Sequence, residues 1–415
     1  MADIDLTATS TITITQTSSS LLAAKATSFK KPLVVDVDTI ESLPSTDSIN
    51  HGDFPLWSTN SLAWAQTRQA ISARVDANAA CFNMTCKRFG SFGTSQAKWF
   101  SGALALNGMI YGIPLLGTSI LKIDPTTDTA TTFGTFGTNV KWGGGVLAPN
   151  GYIYCCPLSE TVVLKIDPTT DTYTTFGSLS SETNKWITGP LAPNGCIYGV
   201  PHSGSTILKI DPTTDTYTTF GTISGIYNWI GGVLAPNGYI YGIPNSGTTI
   251  LKIDPTTDTY TTFGSITSPV YEKWRGGALA LNGCIYAVPA GSSGNVSTTI
   301  LKINTTTDTY TTFGTIGTSS NYYKYEGCVL APDGMIYGVT SGYSYLLRID
   351  PTTDTVSLSL PNVSFSDTGK WSGGILAPNG SIYCIPNTSA TILRLGTSLD
   401  DIPIDFPLSR HFNTF

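Results

Sequence analysis

The segment from Gly231 to Gly264, GGVLAPNGYIYGIPNSGTTILKIDPTTDTYTTFG, recurs in close copies along roughly three quarters of the chain, so the fold of one copy must be a fold that tiles. Four short β-like runs stand out in it: Gly232 to Ala235, Tyr239 to Ile243, Thr249 to Ile253 and Tyr260 to Phe263. Pro-Asn-Gly separates the first two, and Asn-Gly readily supplies the positive-φ residues of a tight hairpin turn. Asp254-Pro255-Thr256-Thr257-Asp258 returns the chain between the last two. Four antiparallel strands of about five residues each read as one meander. A lone meander has two bare faces and needs neighbours.

The landmarks count the copies. The first hairpin turn appears at Asn107-Gly108, Asn150-Gly151, Asn194-Gly195, Asn237-Gly238, Asn282-Gly283, Asp333-Gly334 and Asn379-Gly380. Repeats of about 40 to 50 residues with four strands each are the signature of a β-propeller. After the last hairpin the chain makes a third strand, Ile392 to Leu395, and leaves the pattern without an Asp-Pro turn or a fourth strand. An orphan before the first hairpin, Lys87 to Gly93, matches Thr131 to Gly137. The sequence therefore predicts an all-β, seven-bladed propeller over residues 81–397, closed by an early strand that completes the last blade.

Residues 1–80 carry no copy of the repeat. Their Thr- and Ser-rich start reads as an arm, Lys31 to Val37 as a short strand, and Ser61 to Ala80 as one helix with Trp64, Ile71, Val75 and Ala79 on one face. This segment is expected to be a small docking module. The tail, residues 398–415, alternates apolar residues with prolines and is expected to pack on that module or on another subunit.

Composition narrows the function classes. Charged residues make up 12% of the chain, about half the usual share, and the formal net charge is −6, which argues against a nucleic-acid binder. The start has no basic region followed by an apolar run, so no signal peptide is expected, and no apolar run is long enough for a membrane span. Six of the eight cysteines, Cys155, Cys156, Cys196, Cys284, Cys328 and Cys384, sit at scattered repeat slots and read as free buried thiols; Cys81 and Cys86 are close enough to pair locally, but with no signal peptide expected a disulfide between them is not assumed.

In a propeller the first-to-second and third-to-fourth strand loops share one face. Here that face repeats Pro-Asn-Gly and Asp-Pro-Thr-Thr-Asp almost unchanged, while the loops of the opposite face vary in length and content, which marks that face as the functional candidate. At the end of each blade-to-blade link stands a pair: Lys98-Trp99, Lys141-Trp142, Lys185-Trp186, Asn228-Trp229, Lys273-Trp274, Lys324-Tyr325 and Lys370-Trp371. Two roles fit this ring. It would stack sugars or hold an acidic partner, or each aromatic would wedge between blades while its lysine reaches water; one aromatic per blade is what inter-blade packing itself favours. The eleven aspartates of the Asp-Pro-Thr-Thr-Asp turns, with Asn304 in the twelfth place, read as turn residues rather than metal ligands, which need more oxygens in alternation. They would leave one face acidic and the lysine rim basic. His51, His202 and His411 are scattered, with His202 expected to be a solvated loop residue. No catalytic residue, cofactor site or metal site is expected.

The unit LAPNGYIYGIP followed by ILKIDPTTDTYTTFG resembles propeller repeats of the YVTN and NHL type over about residues 87–397. Arrays of LAPNG and IYGIP units also look like uncharacterised proteins of bacteriophages and large DNA viruses, and the opening MADIDLTAT looks like the start of phage virion proteins. That resemblance implies a non-enzymatic virion component, a capsid or tail protein in multiple copies. Residues 1–80 and the tail would then contact other virion proteins, and the propeller would face a partner or a host surface glycan. The competing expectation is a carbohydrate-binding propeller of cellular, cytoplasmic origin.

Overall fold

The computed structural model describes residues 85–94, 97–267, 272–291, 297–317, 323–343, 345–358 and 370–396. The expected helix at 61–80, the arm, the apolar tail and Cys81 lie outside the described residues. Cys86 is a free, exposed thiol, and the six repeat-slot cysteines are free and buried as expected.

The described residues form a seven-bladed β-propeller, and no helix occurs among them. The first blade runs from the axis outward as Trp99–Leu104, Ile110–Pro114, Ile120–Asp124 and Thr129–Phe133, each strand antiparallel to the last. Later blades span 142–176, 186–220, 229–263, 274–313 and 325–358. The seventh is Trp371–Leu376, Ile382–Pro386 and Ile392–Gly396, and its outer strand is the early segment Thr85–Phe89, paired from Thr85 opposite Gly396 to Phe89 opposite Ile392. Ring closure by strand exchange is thus as the orphan predicts, with the strand two residues earlier than Lys87.

The strand sequences explain their order within a blade. Ile-Tyr-Gly-Ile-Pro is buried at every position, as suits a strand covered on both sides by neighbouring blades. The outer Thr-Tyr-Thr-Thr-Phe alternates exposed and half-buried residues, with β-branched threonines on the open side. Adjacent blades share one apolar layer: Tyr241, Ile243 and Ile250 of the fourth blade pack on Trp274, Ile285, Leu301 and Ile303 of the fifth. Burying an Ile or Leu side chain in such a layer contributes about 1.5–3 kcal/mol.

Inner strands begin at the aromatic of the rim pair, three residues before the apolar run visible in the sequence, because a β-bulge and glycines break the periodicity there. Gly232 is required by close approach: a β-carbon on it would lie 2.6 Å from Cγ2 of Val200 in the preceding blade. In the third blade Pro190 occupies the slot of Val233 and has no N–H for the ladder, so the inner edge is reduced to two isolated bridges, Trp186 to Pro201 and Leu191 to Ile197.

Candidate functional site

The face that repeats is built as a clasp between blades. Asn107 donates its amide to Pro168 O in the next blade at 2.7 Å, the Tyr111 phenol donates to Asp171 Oδ1 at 2.7 Å, and Lys122 Nζ reaches Asp171 Oδ2 at 2.5 Å. The same three contacts recur with Asn150, Tyr154 and Lys165 on the third blade, and so on around the ring. Asp171 and its equivalents sit at positive φ, which turns the carboxylate back toward the preceding blade. Asn237 is not a positive-φ residue; only Gly238 is, and the asparagine is there for its amide, which bridges Tyr241 and Thr305 O. The first aspartates close their own turns: Asp254 Oδ1 accepts the Thr256 N–H at 2.8 Å, and Asp167, held by the Thr169 and Thr170 N–H groups and hydroxyls, stays below the usual carboxylate range.

One junction departs from the rule. The seventh blade takes its outer strand from the start of the chain and so lacks an Asp-Pro-Thr-Thr-Asp turn to offer the sixth. There the asparagine slot is Asp333, whose Oδ2 accepts the Tyr337 phenol at 2.8 Å within the same blade, and the lysine slot is Arg348, whose charge acts on Asp333. The missing carboxylate is supplied in cis. At the next junction Asp128 takes Tyr383, Arg394 and Lys87 together, so the early strand is tied to the first blade as well.

The opposite face carries the rim. Lys98, Trp99, Lys141, Trp142, Lys185, Trp186, Trp229, Lys273, Trp274, Lys324, Tyr325, Lys370 and Trp371 are each no more than 5% exposed. Every indole N–H donates to a carbonyl just before the third strand of its own blade, as Trp142 does to Val162 O at 2.9 Å and Trp229 to Thr249 O at 2.7 Å. Trp99 packs among Ile375, Tyr383 and Ile385 of the seventh blade and Leu104 and Leu121 of its own, which is the wedge position. Tyr325, the one phenol in this ring, is buried with no hydrogen-bond partner for its hydroxyl.

The lysines do not reach water, contrary to the sequence expectation. Lys141 Nζ donates to Gly137 O and Asn139 O, Lys185 Nζ to Glu160 O and Glu182 O, and Lys324 Nζ to Ser297 O, so each ammonium ties down the loops beside it. Burial lowers these groups, Lys98 and Lys324 to about 8. Their backbones form a hoop. Lys141 N donates to Leu115 O, Leu158 N to Lys141 O, Lys185 N to Leu158 O and His202 N to Lys185 O; the pattern runs on to Ala290 N on Lys273 O and resumes from Ser341 N on Lys324 O to Lys98 N on Asn387 O. The expected basic face is absent at the rim, whose ammonium groups are internal; on the opposite face the second turn aspartates are paired with lysines, while Asp124, Asp167, Asp211, Asp254 and Asp350 hold only their own turns and keep that side acidic.

Around the axis the repeat stops repeating. The slot after each rim aromatic is Phe100, Gly143, Ile187, Ile230, Arg275, Glu326 and Ser372, and the slot after each second strand is Leu115, Leu158, His202, Asn245, Ala290, Ser341 and Asn387. Phe100, Leu158, Ile187 and Ile230 form one apolar cluster with Leu115, which unites blades one to four and so faces the axis. The matching slots of blades five and six hold a buried ion pair between Arg275 and Glu326, with Glu272 Oε1 3.7 Å from Arg275 and the Tyr323 ring stacked 3.7 Å from the guanidinium. His202 is 7% exposed rather than solvated, and burial, with the charge of Arg275, holds its pKa down to about 3. Its ring meets Tyr227 edge-on at 4.9 Å. Sequence reasoning placed none of Arg275, Glu326, Asn245 or Tyr227 at a site, although charged residues in an otherwise apolar repeat slot were a signal.

Solved structures share the fold. A streptogramin B lyase matches with a TM-score of 0.63 at 14% identity over 76% of this chain and 98% of that one. A catalytically inactive virginiamycin B lyase from Staphylococcus aureus with quinupristin gives 0.62 at 11% identity over 75% and 99%. The extracellular domain of a putative one-component system from B. thetaiotaomicron gives 0.55 at 12% over 74% of this chain and 40% of that one. At these identities the likeness is one of fold. No curated protein matches the chain. The profile of a family described as a repeat of unknown function, DUF6923, matches residues 107–234 and 224–400, and the chain belongs to that family.

Proposed function

We propose that this protein is a non-catalytic recognition scaffold whose variable-loop face, around the axis, engages a partner. The observation that carries this reading is the asymmetry of the two faces. On one, the Asn, Tyr, Lys and Asp side chains are consumed in holding blade to blade at every junction but the sixth-to-seventh, where they bond within the sixth blade. On the other, the axial slots differ from blade to blade, and among the described residues three of the four large exposed apolar side chains, Ile226, Tyr227 and Tyr345, lie in its loops. A rigid ring with one invariant and one individual face is a platform for loops.

The setting we propose is a virus particle, on the resemblance of the LAPNG and IYGIP units to virus-encoded arrays, with residues 1–80 and 398–415 as the contacts to other particle proteins. Cross-linking mass spectrometry of the chain in its native assembly tests both parts. Links from the loops near Tyr227 and Tyr345 to a partner support the face assignment, and links confined to the Asp-Pro-Thr-Thr-Asp turns overturn it. Absence of the chain from purified particles removes the particle setting and leaves the scaffold reading standing.

A further inference from the structure

The slot filled by Lys122 in the first blade holds a cation in every blade, and six of these reach a clasp aspartate of the next blade: Lys122, Lys165, Lys209, Lys252, Lys302 and Arg394. Among the described residues the remaining cation, Arg348, forms no ion pair. Asp333 accepts the Tyr337 phenol at 2.8 Å and feels the charge of Arg348, but it does not close on the guanidinium. Arg348 is only half-buried, so a second carboxylate can still reach it. Asp333 itself is 4% exposed, whereas Asn107, Asn150, Asn194, Asn237 and Asn282 at the same turn are exposed. The lack of a neighbouring turn should leave Asp333 more open than they are, yet it is more covered.

The strand register says which residue belongs there. In the fourth blade Ile240 lies opposite Ile253 and Asp254 opposite Thr259, and the clasp aspartate Asp258 follows Asp254 by four residues. In the seventh, Ile382 lies opposite Leu395 and Gly396 opposite Thr85, so Gly396 holds the place of Asp254. Four residues on from Gly396 is Asp400. Counting back from Thr85 along the closing strand brings Met84 to the same place, but a thioether does not pair with a guanidinium, and Asp400 carries the group that Arg348 lacks. The change of cation agrees. Arginine replaces lysine in this slot only at Arg348 and Arg394, on either side of the sixth-to-seventh boundary. A guanidinium has five donors and can serve Asp333 and a second carboxylate together, where an ammonium is a compact point charge.

We propose that residues 397–400 form the seventh clasp turn, with the Asp400 carboxylate paired to Arg348 of the sixth blade. The two tasks that Asp171 performs alone at a regular junction are then divided, Asp333 taking the phenol and Asp400 the cation. Residues 1–84 enter the ring at Thr85, beside Gly396, so both segments outside the ring leave it from the clasp face, opposite the variable loops. The inference stands apart from the scaffold reading and shortens the tail available to a partner to residues 401–415.

Arg348→Lys restores the cation found at five other junctions and makes the contact readable. A water-soluble carbodiimide activates a carboxylate, the amine it touches displaces the urea, and an amide bond forms with net loss of one water. Peptide mapping of the purified full chain should join position 348 to Asp400, and Asp400→Asn should abolish that link. The link from Lys122 to Asp171 on the same sample is the standard for an intact clasp. A link from position 348 to Asp333 alone or to Asp401, or none where the standard forms, overturns the proposal. With the native arginine in place, Asp400→Asn should lower the melting temperature by about 1–2 °C and Asp401→Asn should leave it unchanged; equal effects overturn it too. Both readouts are taken on the purified chain, so their failure leaves the scaffold reading untouched.

Discussion

The Tyr111 phenol donates to Asp171 Oδ1 at 2.7 Å across the boundary between the first two blades, and the other carboxylate oxygen takes Lys122 from the same side. Because Tyr111 is fully buried while Asp171 is about one-third exposed, the bond to the phenol matters more than the partly solvated ion pair. Tyr111→Phe is expected to cost about 1–2 kcal/mol. Lys122→Met should cost under about 1 kcal/mol. Unfolding midpoints of the two variants check the order.

The sixth-to-seventh junction gives a prediction against the repeat. Asp333→Asn restores the residue found at the other six turns, yet it removes the carboxylate that Tyr337 and Arg348 use in place of a neighbouring turn. It should destabilise by about 1–3 kcal/mol. Asn237→Asp, the reverse change at a regular junction, should also destabilise, since it sets a carboxylate against Thr305 O and beside Asp308. A repeat-consensus argument predicts the opposite sign for Asp333→Asn, so its melting temperature decides.

The rim separates packing from bonding. Trp142→Phe keeps most of the wedge and loses one indole bond to Val162 O, for about 1 kcal/mol, whereas Trp142→Ala opens a cavity and should cost about 3–5 kcal/mol. Chemical unfolding of the pair checks the ratio.

His202 makes stability depend on pH in a defined window. Its folded pKa of about 3 lies below the ordinary 6.5, so the unfolded chain takes up a proton that the folded chain refuses as pH falls below about 6.5. Stability present above that value is lost progressively down to about pH 3. His51 and His411 lie outside the described residues, and most carboxylates titrate lower. The melting temperature of the wild type should therefore fall between pH 7 and 5, and that of His202→Gln should fall less.

Much of this fold was legible because the repeat carries it. Asn-Gly spacing gave seven blades, and the orphan before Asn107 gave the closing strand. Two kinds of information were hidden. Which way a side chain of the Lys-Trp pair points depends on the bulge and on the neighbouring blade, neither of which a single copy contains, so one aromatic per blade favoured the packing role without removing the binding one. The axial groups were hidden for the opposite reason. Arg275, Glu326, His202 and Asn245 are departures from the repeat, and reading for recurrence passes over them until the closed ring sets unlike slots side by side.

The division of labour between the two faces is tested most directly by one paired measurement: melting temperature and retention in the native assembly for a loop-face double variant, Ile226→Ser with Tyr227→Ala, against the clasp variant Tyr111→Phe. The account predicts that the loop-face variant melts with the wild type and is lost from the assembly, while the clasp variant melts lower and is retained wherever it is folded. A loop-face variant that stays in the assembly, with a folded clasp variant that leaves it, would contradict the account.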